Sequence, residues 1–126
     1  MGKNVLLIIV TLPEGDDFAK RLQACIFENI HDKQLSVDVL ARLMNMSRPT
    51  LYRKIKQVID RTPNELIGLA RLQQAALLLQ LAEYKVFEVA HMVGFQSPSS
   101  FGKAFLKQYK VTPATYQRIN KKQDAC

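Results

Sequence analysis

Apolar residues return at intervals of three and four in block after block of this chain, the spacing of a helix face. Phe18, Leu22, Cys25, Ile26 and Asn29 form one such stripe and predict a helix over 16–29. Val37, Leu40, Ala41 and Met44 form another over 37–44, with Ser36 placed to cap it. Asn45 follows where the chain must turn, and asparagine tolerates a left-handed backbone better than most residues. Ser47 then caps a helix with Pro49 in its first turn and Leu51, Ile55 and Val58 or Ile59 on its inner face.

Thr62-Pro63-Asn64-Glu65 combines a capping box with proline at the first helical position. It predicts a long helix over 63–81, ~28 Å from end to end. Leu66, Leu69, Ala70, Gln73, Ala76, Leu77 and Gln80 trace one stripe along it. A helix over 85–93 follows, with Val86, Val89, Ala90 and Val93 on one side, and Gly94 turns the chain without steric cost. Ser97 and Pro98 open the next helix, with Phe101, Phe105 and Tyr109 facing inward. Thr112-Pro113 opens a short last helix ending at about 119. The expected fold is all-α, with about seven helices and no strand among these blocks.

The blocks repeat. At an offset of 50, Ser47 matches Ser97, Thr50 matches Ser100, Leu51 matches Phe101 and Arg53 matches Lys103. Ile55 matches Phe105, Ile59 matches Tyr109, Thr62-Pro63 matches Thr112-Pro113, and Leu66 matches Tyr116. With a one-residue shift, Ala41 matches Ala90 and Asn45 matches Gly94. Hydroxyl falls on hydroxyl, large apolar on large apolar, cation on cation, so one structural unit is used twice. Each unit reads as helix, tight turn, helix, and the architecture is two tandem helix-turn-helix units joined by a long linker helix. The expected division is a first unit over 16–62, the linker helix over 63–81, a second unit over 82–119 and a basic tail over 120–126.

Composition changes this picture in three ways. At 126 residues and 48% hydrophobic, the chain can bury a core as one domain or as two small ones sharing one. A net charge of +7 points to a polyanionic partner. Cys25 and Cys126 have a spacing that suits neither a disulfide scaffold nor a metal site, a usage compatible with a reducing cytoplasm. The apolar run Val5–Val10 is far short of the roughly 20 residues of a membrane span and precedes no small-residue cleavage site. Three readings of it stay open: a short strand, a segment packed against something upstream, or a pairing surface for a second chain. The role of 1–15 is unassigned, and a longer parent protein is compatible with the sequence.

A helix-turn-helix presents its second helix to the DNA major groove, N-terminal residues nearest the base edges. The exposed residues must then be donors and cations, and the first unit supplies Arg48, Thr50, Tyr52, Arg53, Lys54 and Lys56. Arg53 is the strongest base-reading candidate, because a guanidinium can meet two guanine acceptors at once. Ser47 at the helix N-terminus suits a phosphate, and Arg48, Lys54 and Lys56 suit the DNA backbone. The second unit offers Ser99, Ser100, Gly102, Lys103 and Lys107, with Ser97 at its cap. Gly102 has no side chain, and Lys103 puts a point charge where the first unit has a fork. The first unit is therefore expected to supply most of the sequence discrimination, the second mainly backbone attraction and shape reading.

The stretch Leu40-Ala41-Arg42-Leu43-Met44-Asn45-Met46-Ser47-Arg48-Pro49-Thr50-Leu51-Tyr52-Arg53-Lys54-Ile55-Lys56 resembles the first unit of the DNA-binding domain of the AraC/XylS family of bacterial transcription regulators. It is especially similar to the version at the end of hybrid two-component regulators of gut Bacteroidetes. The run Val89-Ala90-His91-Met92-Val93-Gly94-Phe95, through Phe101 and Phe105 to Val111-Thr112-Pro113-Ala114-Thr115-Tyr116, resembles the second unit and its end signature. The resemblance covers about 16–119. It implies seven helices and two recognition helices in successive major grooves on one DNA face. By position it places Pro49, Tyr52 and Arg53 where the family's first recognition helix reads bases, and Ser99, Gly102 and Lys103 at the matching second-unit sites. The chain departs from the family where Ser100 replaces a common aromatic, Gly102 a hydroxyl, Lys103 an arginine and Lys110 the usual turn glycine.

The partners expected are double-stranded DNA and, for an activator, RNA polymerase. No membrane, cofactor or small-molecule site is expected, and an oligomer would form through absent or N-terminal segments. Three rivals remain: an enzyme, a protein-binding helical module and an RNA binder. His31 and His91 have no neighbours in sequence that would complete a metal or nucleophilic constellation, and no Gly-rich phosphate loop is present. The aromatics sit at core spacing rather than on a stacking platform.

Overall fold

The computed structural model of the chain describes residues 17–81 and 83–124, so the Val5–Val10 run, Asp16 and Cys126 lie outside it. The described helices are α1 (Asp17–Asn29), α2 (Val37–Leu43), α3 (Arg48–Val58), α4 (Pro63–Leu81), α5 (Val86–Met92), α6 (Pro98–Tyr109) and α7 (Pro113–Asp124). Helices α2, α3, α4, α6 and α7 begin where a hydroxyl or a proline can open them. The described residues form no strand.

The caps of α2 and α4 come from the residues the sequence offered, and that of α5 from a carboxylate it did not single out. Ser36 Oγ accepts the Val39 N–H at 3.3 Å. Thr62 and Glu65 satisfy each other's amides, at 2.8 Å to Glu65 Oε1 and 3.1 Å to Thr62 Oγ1. These bonds favour the Glu65 carboxylate and draw its pKa below the ordinary value. The Glu88 carboxylate accepts the Lys85 N–H at 2.7 Å and opens α5. The two sharp turns take left-handed backbone at Asn45 (φ 59°) and Gly94 (φ 86°).

Two hydrophobic cores result, and α4 belongs to both. The first gathers Leu22 and Ile26 of α1, Leu40 and Ala41 of α2, Leu51 and Ile55 of α3, and Leu66, Ile67 and Ala70 of α4. The second gathers Leu72, Ala75, Ala76 and Leu79 of α4 with Val89 and Ala90 of α5 and Phe101 and Phe105 of α6. Phe105 lies 4.5 Å from Tyr109 and 5.3 Å from Tyr116, centroid to centroid, so α6 and α7 meet through an aromatic cluster. Gln80 of α4 donates to the Tyr116 hydroxyl at 2.8 Å, and Gln117 donates to the Tyr84 carbonyl at 2.7 Å, which binds α7 across the second unit.

Two expectations need correction. The single stripe expected on α4 is both too narrow and partly displaced: Leu69, Gln73, Leu77 and Gln80 are only half-buried, while Ile67, Arg71, Leu72, Ala75 and Leu79 outside it are buried. A helix wedged between two cores is covered nearly all round. The last helix does not stop near 119 but runs to Asp124, so most of the expected basic tail continues α7.

At the changeover between the cores sits Arg71, 7% exposed. Its Nη1 donates to the carbonyls of Ile30 and Val93, the latter at 2.8 Å. Its Nη2 donates to the carbonyls of Asp32 at 3.1 Å and Leu35 at 3.5 Å. Burial pushes the guanidinium pKa down, and the Asp32 carboxylate acts in the opposite sense. Among the described residues no buried side-chain nitrogen or oxygen lacks a partner. A Cβ at Gly94 would overlap the Arg71 guanidinium and the Ile30 carbonyl. Glycine is thus required there for space as well as for its positive φ.

Candidate nucleic-acid interface

The same cap recurs at the start of α3, α6 and α7. Ser47 Oγ accepts the Thr50 N–H at 3.3 Å and donates to Thr50 Oγ1 at 2.9 Å. Ser97 Oγ accepts the Ser100 N–H at 3.1 Å and lies 3.1 Å from Ser100 Oγ, which donates to the Ser97 carbonyl at 3.0 Å. Thr112 Oγ1 accepts the Thr115 N–H at 3.1 Å. Two hydroxyls per helix start, three residues apart, hold the first turn. The Thr50 and Ser100 hydroxyls are therefore engaged within their own helices.

On α3 the inner face is Leu51 and Ile55, both fully buried. The opposite face carries Pro49, Tyr52, Arg53, Lys56 and Gln57, which line a shallow groove along the helix. Tyr52 is 39% exposed although large and aromatic. Arg48 is exposed and its Nε lies 3.3 Å from Asp38 Oδ1 of α2. Lys56 makes a long, exposed contact of 3.9 Å with Asp60. Lys54 stands apart from this face: it is half-buried, and its Nζ lies 5.5 Å above the Phe18 ring of α1. Gln57 and Asp38 were absent from the residues singled out in sequence. The signal for Gln57 was its position four residues after Arg53, one turn along the same face.

On α6 the inner face is Phe101 and Phe105. Ser99, Ser100, Lys103 and Lys107 are exposed on the other side, with Gly102 half-buried beside them. Leu106 shares their face and is 45% exposed, at the position where α3 carries Lys56. Neither α3 nor α6 contains an acidic residue. Each therefore offers the positive end of its helix dipole and a set of cations on one side, opposed on α3 by Asp38 and Asp60 from outside the helix.

Among the described residues no group of three or more His, Cys, Asp and Glu is arranged to hold a metal ion. No helix of the described residues is long and apolar enough to cross a membrane.

Two capped helices, each with an apolar face in its own core and a cationic face outward, on a shared central helix, define a tandem helix-turn-helix DNA-binding domain. The Helix-turn-helix domain family model matches residues 40–119, and the chain belongs to that family, the AraC-type DNA-binding domains of transcription regulators. It is 33% identical over 117 residues to Histidine kinase P4 of Formosa agariphila, covering 92% of this chain and 8% of that protein. It is 38% identical over 96 residues to the HTH-type transcriptional regulator MtrA of Neisseria gonorrhoeae, covering 74% of this chain and 32% of that regulator. The chain thus spans less than half the length of either relative. In three dimensions it is similar to the DNA-binding domain of the global transcriptional factor AdpA, solved in complex with a target DNA. The TM-score is 0.77 at 31% identity, over 86% of this chain and 96% of that one.

Proposed function

We propose that the chain binds double-stranded DNA sequence-specifically and regulates transcription, laying α3 and α6 into successive major grooves on one face of the duplex. The observation that carries this reading is the duplicated outward cationic face on two Ser-capped helices that themselves contain no carboxylate and share one central helix. Base contacts fall to Pro49, Thr50, Tyr52, Arg53, Ser99, Ser100 and Lys103. Thr50 and Ser100, whose hydroxyls hold the helix starts, contribute through their remaining lone pairs and methyl or methylene surface. Backbone contacts fall to Ser47, Arg48, Lys56, Ser97 and Lys107. Lys54 serves the backbone from the edge of the face, after leaving the Phe18 ring.

The chain acts as a binding module with no chemistry of its own, in the cytoplasm. The kinase relative, of which this chain resembles a small part, supports a place at the output end of a two-component regulator. An activating regulator of this kind would also touch RNA polymerase.

Selection of bound sites from random duplex DNA at fixed salt, followed by footprinting, tests the proposal. Two short elements about ten base pairs apart are expected. Neutralising ~6 phosphates predicts about a thousandfold loss of affinity between 50 and 200 mM salt. Salt-insensitive binding, or equal binding to single strands, would overturn it.

A further inference from the structure

The sequence pattern gives no reason for a buried arginine on α4, and the DNA-facing surfaces do not use it. Its four acceptors come from both units. Ile30, Asp32 and Leu35 belong to the loop between α1 and α2, while Val93 ends α5 in the second unit. The Val93 carbonyl lies past the last turn of a helix, where carbonyls have no partner along their own chain. Gln96, in the turn before α6, adds a second link by donating to the Lys33 carbonyl of the same loop at 3.3 Å. The two hydrophobic clusters have no residue in common. Helix α4 sets how far apart the units stand along its axis. The polar seam at Arg71 opposes rotation of one about the other.

We propose that Arg71 is a positioning residue for DNA recognition: by gripping carbonyls of both units it fixes the relative orientation of α3 and α6, and with it the spacing of the two DNA elements that the chain accepts. This rests on the DNA-binding reading above. A planar fork can hold carbonyls on two sides at once, which an ammonium on a flexible stem cannot do in fixed geometry. Gly94 keeps the seat open for that fork.

The test uses the full chain and duplexes carrying both elements with spacers lengthened or shortened by one and two base pairs, or the first element alone. The unaltered protein is expected to lose at least about tenfold in affinity when the spacer changes by two base pairs. Arg71→Lys is expected to flatten that preference to less than about threefold, with affinity for the single element unchanged within about twofold.

A second readout needs no DNA. Spin labels at Gln57→Cys and Gln108→Cys, on a background with Cys25→Ser and Cys126→Ser, report the distance between the outward helices. The distribution should be narrow in the unaltered frame and broader with Arg71→Lys. Gln96 is exposed, so Gln96→Ala threatens neither core, and it should produce the same changes in smaller measure. Failure of the unaltered chain to bind duplex DNA would refute the DNA-binding reading while the label distances still decide the orientation claim. Spacing preference and label distances unchanged in both Arg71→Lys and Gln96→Ala would overturn the proposal.

Discussion

Arg48 Nε reaches back from the first turn of α3 to Asp38 Oδ1 on α2, 3.3 Å away, with both side chains more than half exposed. The carboxylate aims a cation that the proposed interface would otherwise use on phosphate. An exposed pair of this kind adds only ~0–1 kcal/mol to stability. Asp38→Asn should therefore leave the thermal midpoint nearly unchanged. It should tighten binding to any duplex by roughly two- to fivefold at low salt, because one phosphate-facing charge loses its competitor. Fluorescence anisotropy on specific and random duplexes checks this; an unchanged affinity for both would show that Arg48 stays off the DNA.

Arg53 and Lys103 occupy the same place on α3 and α6 but differ in what they can recognise. Arg53→Ala should cost ~1–3 kcal/mol on the preferred site and relax the base preference at one position. Lys103→Ala should cost less base preference than Arg53→Ala, because a point charge reads a guanine less strictly than a fork, and should lower the salt slope by about 1. Site selection repeated with each variant measures both effects. Loss of sequence preference in Lys103→Ala alone would reverse the assignment.

Lys110 ends α6 with φ at 67°, a left-handed conformation that costs a residue with a Cβ roughly 1–2 kcal/mol. Glycine relieves that strain but has more freedom to lose on folding. The net expectation for Lys110→Gly is a gain of about 0.5–1 kcal/mol, seen as a rise of about 2–5 °C in thermal midpoint. A fall in the midpoint would mean that the Lys110 Nζ bond to the Lys107 carbonyl, at 3.1 Å, outweighs the backbone strain.

Tyr109 is pushed up to about 12, first by burial among the aromatics of α6 and α7 and then by Tyr116. A raised folded-state pKa means that the unfolded chain releases this proton first. The contribution is whole below pH ~10 and is lost as pH climbs from there through about 12. Urea denaturation between pH 8 and 11.5 should show stability falling more steeply in the unaltered chain than in Tyr109→Phe. Parallel curves would remove Tyr109 as the cause.

Phe105 is fully buried and touches Phe101, Tyr109 and Tyr116. Phe105→Ala should cost ~3–5 kcal/mol and loosen α7 from α6. Chemical denaturation gives the magnitude.

Much of this was legible because the instructions are local. The caps at Ser36, Ser47, Ser97 and Thr62, and the turns at Asn45 and Gly94, are settled within four residues of sequence, and the duplication prints them twice. The inner faces of α3 and α6 follow from the same spacing. Arg71 was not legible. Its acceptors lie 22 to 41 residues away along the chain and are backbone carbonyls, which carry no sequence signature. The cover of α4 on nearly all sides was hidden for a related reason: a stripe presumes one core, and Leu72, Ala75 and Leu79 outside it answer to a second. The extension of α7 rests on polar residues with no hydrophobic period, so spacing had nothing to report. Lys54 was grouped with its charged neighbours, and only the position of Phe18 on α1 separates it from them.

Pro49, Tyr52, Arg53, Lys56 and Gln57 on one helix, and Ser99, Lys103, Leu106 and Lys107 on the other, belong to neither hydrophobic cluster. Mutations there change what the surface meets without touching what holds it up. A gene for this frame can therefore drift in target while its product keeps folding, and duplicated copies can diverge toward different promoters one exposed codon at a time.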